Sequence, residues 1–286
     1  MSNYLHNNQN IHNDLKADCA NCFGLCCVAL PYAKSADFAF DKEGGTSCSN
    51  LQADYRCGIH SDLRKKGFKG CTVYECFGAG QKVSQITYKG KNWRDNKGQA
   101  KEMFDVFPIM QQLHEMLLFL HEARSLEVAK PLINDLQVAI EKTDYFTTLS
   151  PKSILELDVL THRAFINELL LRTSELVRAK APQTKNKKQQ HKIKRGSDYI
   201  GAKLKGADLS GSNLRGALLI AADLRESDMR MTDLIGADLR DADLSGANLT
   251  GSIFLTQAQI NSAKGDSNTR LPYHIKFPEH WGTGRG

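Results

Sequence analysis

Cysteine is the residue type with the most evident chemistry in this chain, because all eight cysteines fall between residues 19 and 76. They are Cys19, Cys22, Cys26, Cys27, Cys48, Cys57, Cys71 and Cys76. A Cys-x-x-Cys pair lets two sulfurs converge on one tetrahedral ion, and the intervening turn can donate N–H groups to them. We therefore expect all eight to be metal ligands, with zinc as the metal and iron or an iron–sulfur cluster as the alternative.

The number of metal sites stays open at this stage. The eight thiolates could form two zinc sites of four sulfurs each, one zinc site with spare thiols, or an iron–sulfur cluster. Adjacent Cys26 and Cys27 are expected to point in different directions, which favours two sites. A redox or disulfide role is a further alternative, although no βαβ pattern of the thioredoxin type surrounds Cys19 and Cys22. We interpret His60 as a bystander rather than a ligand.

The second pattern is a large apolar residue at every fifth position near the end of the chain. These residues are Leu204, Leu209, Leu214, Leu219, Leu224, Met229, Leu234, Leu239, Leu244, Leu249 and Phe254. A period of five scatters residues around an α-helix and alternates them between the faces of a straight strand. All can point inward only if the chain turns a corner every five residues. Glycine recurs at the corners, where permissive dihedrals are needed, and Asp recurs beside the large residue, where we expect it to face water.

Two resemblances follow from these patterns. The segment GADLSGSNLRGALLIAADLRESDMR and its continuation resemble the pentapeptide-repeat family over about residues 200–256. That resemblance implies a right-handed quadrilateral β-helix with four pentads per coil. The spacing from Cys19 to Cys27 resembles the CxxCxxCC-type family thought to chelate zinc or iron, over residues 19–80, with one extra residue before the Cys26-Cys27 pair.

The segment between these two patterns has helical periodicity. Apolar residues recur at spacings of three and four from Ile109 to Leu120, a second helix is predicted from Pro131, and a third from a Ser150 cap. We expect a small helical bundle without evident chemistry. His114 and His121 lie two turns apart, and we interpret them as structural because no Glu-x-x-His pair completes a metal site.

The fold class predicted from these segments is a multidomain α+β protein with a cysteine-rich metal-binding module, a helical bundle and a short right-handed quadrilateral β-helix. The predicted division is a disordered N-terminus (1–18), the cysteine-rich metal-binding module (19–100), the helical bundle (101–178), a basic linker (179–198), the pentapeptide-repeat β-helix (199–260) and a C-terminal tail or cap (261–286). The tail carries large apolar side chains, including Tyr273 and Trp281, so we expect it to cap the open coil edge or to mediate a homodimer.

Charge is concentrated in one stretch of the chain. The total of 38 basic and 32 acidic residues gives a net charge of +6, but residues 178–195 carry eight of the basic residues and no acid. We interpret this stretch as a solvated linker, with weak nonspecific nucleic-acid contact as the alternative. No apolar run is long enough for a membrane span, and the first residues lack the pattern of a secretory signal, so a cytoplasmic protein is expected.

These expectations favour a non-catalytic metal-binding, pentapeptide-repeat scaffold that contacts a protein partner through the β-helix faces. Some members of the pentapeptide-repeat family imitate DNA and protect gyrase, which provides one alternative function. The pentads hold eight acids against six bases, however, which is a poor imitation of a phosphate backbone. A metal-handling or redox protein that uses the cysteine cluster is the other alternative. Enzymatic activity is left undecided, with a non-enzyme favoured.

Overall fold

The computed structural model describes residues 14–181 and 196–282 of the chain. The predicted disordered N-terminus and basic linker fall mostly outside these residues. The chain divides into two compact units, of which unit 1 is Met1–Arg124 with Leu132–Leu169 and unit 2 is Ser125–Pro131 with Leu170–Gly286. Each unit is described by itself below.

Eight α-helices are found in the described residues, and most of the long ones lie in the middle of the chain. They are α1 (Leu25–Ala29), α2 (Lys69–Val73), α3 (Ala79–Gln81), α4 (Lys97–Ser125), α5 (Ile133–Thr147), α6 (Pro151–Leu155), α7 (Val159–Arg178) and α8 (Gln257–Ser262). A π-helical stretch, Lys82–Thr87, continues α3 directly. Across the two described ranges, no helix combines the length and apolarity that crossing a bilayer requires.

The helices predicted from periodicity are present, with two changes in their bounds. The predicted first helix lies inside α4, and the second begins at Ile133 because Pro131 falls in a 3-10 turn. Ser150 caps α6 as predicted, but the third helix is interrupted after Leu155. The Asp158 carboxylate accepts the backbone N–H of Thr161 at 3.0 Å, which starts α7 as a separate helix.

The core of unit 1 joins the cysteine-rich segment to the long helix. Leu25 and Val28 from α1 and Val83 from the π-helical stretch pack with Met103 and Phe107 of α4, and all five are buried. The cysteine-rich segment is therefore positioned against a rigid helix rather than forming a core of its own.

Unit 2 contains a four-sided coil. Parallel bridges join residues twenty positions apart, as between Lys203 and Asp223 and between Asp223 and Asp243. The backbone N–H of Leu204 donates to the carbonyl oxygen of Asp223 at 2.8 Å, and equivalent bonds repeat along the coil. A register of twenty residues corresponds to four pentads per turn, which is the register that the family resemblance implies. The large residues of the pentads fill the centre, and Leu224 and Leu244 are fully buried.

The sides of the coil differ from the predicted β-strands. Each bridge is an isolated pair, and the described part of the chain contains no strand. The corners explain this difference, because a residue in the left-handed region interrupts the extended backbone in every pentad. Gly206 has a φ of 64°, and Glu226 at the equivalent position has a φ of 58°. The β part of the predicted α+β class is thus present only as single bridges.

The segment after the pentads packs on the coil core. Lys264 and Arg270 extend the parallel bridges, to Asp243 and Asn248 respectively. Trp281 is buried with the coil residues, and its Nε1–H donates to the carbonyl oxygen of Ala263 at 3.0 Å. These contacts cover one coil edge, which is what a cap requires, whereas the predicted homodimer through this end stays a prediction.

Candidate functional site

The cysteines are carried by short helices and loops of unit 1. Cys26 and Cys27 lie in α1 and Cys71 lies in α2. Gly24 allows α1 to begin where it does, because its φ is 65° and a Cβ there would lie 2.7 Å from Leu51 Cδ1. All eight cysteines are free thiols, so no disulfide is formed between them.

Four of the sulfurs accept backbone N–H groups from residues two to four positions later in the chain. The donors are Gly24 and Leu25 for Cys22, Asn50 for Cys48, Ile59 for Cys57, and Gly78 and Gly80 for Cys76. Hydrogen bonds of this kind fix the orientation of a sulfur and stabilise its negative charge, as they do around metal-bound thiolates. The turns after these four cysteines are therefore built to support sulfur as an acceptor.

Two of these sulfurs adjoin the same glycine. A Cβ at Gly80 would lie 2.7 Å from the Cys22 Sγ and 3.9 Å from the Cys76 Sγ. A side chain at this position would displace the Cys22 sulfur. The absence of a side chain at residue 80 thus allows two cysteines that are 54 positions apart in the sequence to share one neighbourhood.

The electrostatic interactions between thiols run mostly within two groups of four cysteines. The first thiol group is Cys19, Cys22, Cys26 and Cys76, and the second thiol group is Cys27, Cys48, Cys57 and Cys71. Within each group, neighbouring thiols raise one another's pKa because their negative charges would repel. The groups meet at Cys26 and Cys27, whose thiols are hydrogen-bonded to each other, so the expected divergence of these two side chains is not found. Cys19 also interacts with Cys27 and with Cys57 of the second thiol group.

Burial makes most of these thiols poor acids. It raises the pKa of Cys22 to about 11 and that of Cys71 to about 12. It also raises the pKa of Cys19, Cys57 and Cys76. At neutral pH these thiols hold their protons, and a bound cation is the kind of group that would favour their deprotonation.

A buried lysine is the cation placed nearest to the second thiol group. Lys42 is only 6% exposed, and its Nζ donates to the carbonyl oxygens of Val28, Glu43 and Thr46 at 3.2, 3.1 and 2.9 Å. The hydrogen bond from Cys26 lowers the pKa of Cys27, and the Lys42 charge lowers it further. The sequence pattern did not single out this lysine, because nothing in its spacing distinguishes it from a surface residue.

The sulfurs are gathered in one module without surrounding a common centre. Among the residues described, no group of three or more His, Cys, Asp or Glu side chains has an arrangement that could hold a metal ion. Their hydrogen bonds instead run to backbone groups, to one another and, at Cys48, to the Tyr32 hydroxyl, which donates to the sulfur at 3.3 Å. The eight predicted ligands therefore share one module, and their convergence on an ion stays a prediction.

The acids of the coil have intramolecular partners that sequence reasoning missed. Their guanidinium partners stand two residues later: Arg225 for Asp223 at 2.6 Å, Arg230 for Asp228 at 2.5 Å and Arg240 for Asp238 at 2.7 Å. The Arg225 hydrogen bond holds the pKa of the Asp223 carboxyl at about 2. The repeated Asp–x–Arg spacing is the sequence pattern from which these ion pairs could have been predicted. It indicates a surface on which carboxylates are neutralised rather than displayed.

Asp233 corrects the expectation that each Asp faces water. It is fully buried, and its carboxylate lies 2.9 Å from Arg215, which is also buried. The recurrence of Asp has a local cause instead, since Asp233 Oδ1 accepts the backbone N–H of Ile235 at 3.0 Å. Five further aspartates accept the backbone N–H of the residue two positions later in the same way: Asp208, Asp223, Asp228, Asp238 and Asp243. Asp thus stabilises the corner of the pentad as an acceptor.

Comparison with known proteins agrees with this coil. The profile of the family described as "Pentapeptide repeats" matches residues 198–234 and 217–254, with eight copies. A Bacillus subtilis (strain 168) protein named "Uncharacterized protein YybG" is 69% identical over 272 residues, which cover 95% of this chain and 96% of that protein. The chain belongs to the YybG family of pentapeptide-repeat proteins. The family profile spans only the coil and leaves the cysteine-rich segment unmatched.

A solved structure is similar to part of this chain. It is a pentapeptide-repeat protein from the thylakoid lumen of Arabidopsis thaliana, 25% identical, and the match covers 30% of this chain and 68% of that one with a TM-score of 0.15.

Proposed function

We propose that this pentapeptide-repeat protein is a non-catalytic zinc-binding protein in which the two thiol groups each bind one ion. The ligands are Cys19, Cys22, Cys26 and Cys76 for the first ion, and Cys27, Cys48, Cys57 and Cys71 for the second. The observation that carries the proposal is that eight free thiols lie in one module and that most of their mutual interactions run within two groups of four. The proposal requires the four sulfurs of each group to converge on the ion when it binds.

The chemistry of the donors supports zinc. Four thiolates form a closed tetrahedral site with Zn–S distances of about 2.3 Å, and such sites are structural because no position remains open for a substrate. The N–H groups that donate to four of the sulfurs would stabilise the charge of a tetrathiolate. Iron or an iron–sulfur cluster could use the same ligands and is the alternative outcome of the test. A reducing compartment such as the cytoplasm, which we propose as the location, would keep the thiols available.

Single substitutions in the two groups test the proposal. We expect Cys76→Ser and Cys71→Ser each to lower the zinc content by about one ion per chain, because each removes a ligand from a different site. His60→Ala is the matched control, since His60 is exposed and belongs to the same module, and it should retain the full content. Equal metal content in all four proteins, including the wild type, would overturn the assignment. Bound iron with visible charge-transfer absorption would instead support the alternative, an iron or iron–sulfur site.

We propose the coil faces as the surface that contacts a protein partner. The coil places the large residues of its pentads inside, and three of its outer aspartates are held in Asp–Arg pairs. The outer surface is therefore polar and its charges are largely paired. This supports a protein-binding scaffold rather than a DNA mimic, because a DNA mimic needs rows of unpaired carboxylates.

Site-specific photo-crosslinking in the native host tests this surface. A photoreactive residue at exposed Thr250 on the coil should give one defined adduct that excess unlabelled protein competes away. The same residue at exposed Glu156 in unit 1 serves as the control and should give none. Equal labelling at both positions, or none at Thr250, would contradict the scaffold. An adduct between two copies of the chain would show that the partner is a second copy, in a homodimer.

A further inference from the structure

We propose that a cleft in unit 1 binds a linear polyamine such as spermidine, through His114 and carboxylates on two sides of it. The cleft has a volume of about 900 Å³ and lies between the N-terminal segment, the π-helical stretch, α4 and α5. Cavities of this size are typical of small-molecule sites. The proposal does not depend on metal binding, because no cysteine lines the cleft.

His114 supplies a buried acceptor that faces the cleft. The side chain lies on α4 and only 4% of the residue is exposed, yet it is part of the cleft lining. Its Nδ1 lies 2.7 Å from the carbonyl oxygen of Phe77, so Nδ1 carries the proton and donates. Nε2 is left with a lone pair and has no hydrogen-bond partner within the described ranges. Burial lowers the pKa of His114 to about 4, so the imidazole is neutral at physiological pH.

Gln137 provides a second acceptor in the same lining. Its Nε2 donates to Glu141 Oε1 at 2.7 Å, which leaves Oε1 buried without a partner among the residues described. Buried polar atoms normally have hydrogen-bond partners, so the unpaired Gln137 oxygen, in the same lining as the lone pair of His114 Nε2, indicates a ligand that brings donors.

The charged residues show that this ligand is a cation. Four carboxylates line the cleft, from Asp14, Asp18, Glu141 and Asp144, together with the single ammonium of Lys82. Asp14 and Asp144 come from different elements, and the charges of both act on His114. Carboxylates from two elements, together with an acceptor in the same lining, match a ligand that is positively charged at both ends.

The remaining lining selects the chemical class of the cation. Leu15, Leu117 and Ile140 give apolar walls that a bare metal ion would not contact favourably. A linear polyamine has methylene segments for these walls, N–H groups that only donate, and a positive charge at each end. The cleft and the ligand are therefore complementary in charge, hydrogen bonding and apolar surface.

Calorimetric titration of the full chain with spermidine tests the proposal. The wild type should show saturable binding with one site, and Glu141→Gln/Asp144→Asn should weaken it by about tenfold, the effect of losing one to two partly exposed ion pairs. Both carboxylates are exposed, so the variant is expected to fold. The matched control is Glu156→Gln/Glu168→Gln, which removes the same charge from exposed positions outside the cleft and should bind as the wild type does.

A second readout reports on His114 without changing the protein. The ¹⁵N signal of its Nε2 should shift toward that of a hydrogen-bonded nitrogen as spermidine is added. No saturable binding to the wild type, equal weakening in both double variants, or an unchanged His114 signal at saturation would each overturn the proposal.

Discussion

The coil and the cysteine module of this chain reach stability in different ways. In the coil, the large residues are buried on the axis, backbone groups pair from turn to turn, and the buried Arg215 is matched by Asp233. In the module, the helices α1 and α2 have only five residues each, and the thiols raise one another's pKa, with Lys42 acting on Cys27 and Arg56 on Cys19 as opposing charges. A repeat can satisfy its own polar groups because each turn supplies the partners for the next. A cysteine-rich segment has no repeated neighbour of this kind, and we propose that an added cation takes that part.

Metal removal should produce the largest difference in stability between the cysteine module and the coil. A strong chelator at neutral pH is expected to unfold residues 19–76, because structural zinc contributes on the order of 10 kcal/mol to folding. The coil, which has no cysteine, should keep its structure. Hydrogen exchange followed by mass spectrometry measures both regions in one sample. Equal loss of protection in both regions, or in neither, would break the comparison.

Loss of one partner of the buried ion pair should be the most damaging change inside the coil. Arg215→Leu leaves Asp233 charged and buried, and we expect a loss of about 3–5 kcal/mol in the free energy of unfolding. The control is Arg230→Leu, whose exposed guanidinium is paired with Asp228 and should matter much less. Exchange rates of the coil amides in the two variants give the difference. Similar losses would show that burial does not distinguish these pairs.

The buried imidazole of unit 1 predicts a dependence of stability on pH. The pKa of His114 is about 4 in the folded protein and 6.5 in the unfolded chain, because burial disfavours the imidazolium. The stability that the neutral imidazole contributes is therefore fully present above pH 6.5. As the pH falls toward 4, the free energy of unfolding should decrease by about 3 kcal/mol. The pH dependence of exchange in α4 should be shallower in His114→Gln than in the wild type. His60→Gln, at an exposed position, should leave it unchanged, and equal profiles for all three proteins would contradict the prediction.

The smallest expected effect concerns the helix that follows the pentads. Thr256 and Gln259 form a reciprocal capping box at the start of α8, and the Gln259 amide also donates to the carbonyl oxygens of Leu234 and Ala237 at 2.8 Å. Thr256→Ala should cost about 1 kcal/mol in coil stability, measured by urea unfolding. Thr250→Ala, at an exposed coil position, is the control and should be close to neutral. If both substitutions had the same effect, the cap would not support the coil edge.

The coil was largely predictable from the sequence because its rules are local and repeated. The spacing of Leu204, Leu209 and their successors required a corner every five residues, and the structure has one there. The absence of strands was not foreseen, since it depends on the dihedrals of each corner. Asp233 was misjudged for a related reason: its burial depends on Arg215, which lies on the adjacent turn of the coil.

The candidate sites depended more on contacts that spacing does not reveal. Membership of the cysteines in one module followed from their clustering, but their grouping depends on Gly80, on the loop that carries Cys48 and on the helix α2 that carries Cys71. His114 was interpreted as structural because its sequence neighbours complete no motif. Its free Nε2 is apparent only once the Phe77 carbonyl is seen to occupy Nδ1.

X-ray absorption spectroscopy combined with elemental analysis, on protein purified anaerobically, tests the central claim most directly. The account predicts two zinc ions per chain, each with a shell of four sulfurs at about 2.3 Å. A folded protein without bound metal, or a metal shell dominated by nitrogen and oxygen, would contradict it.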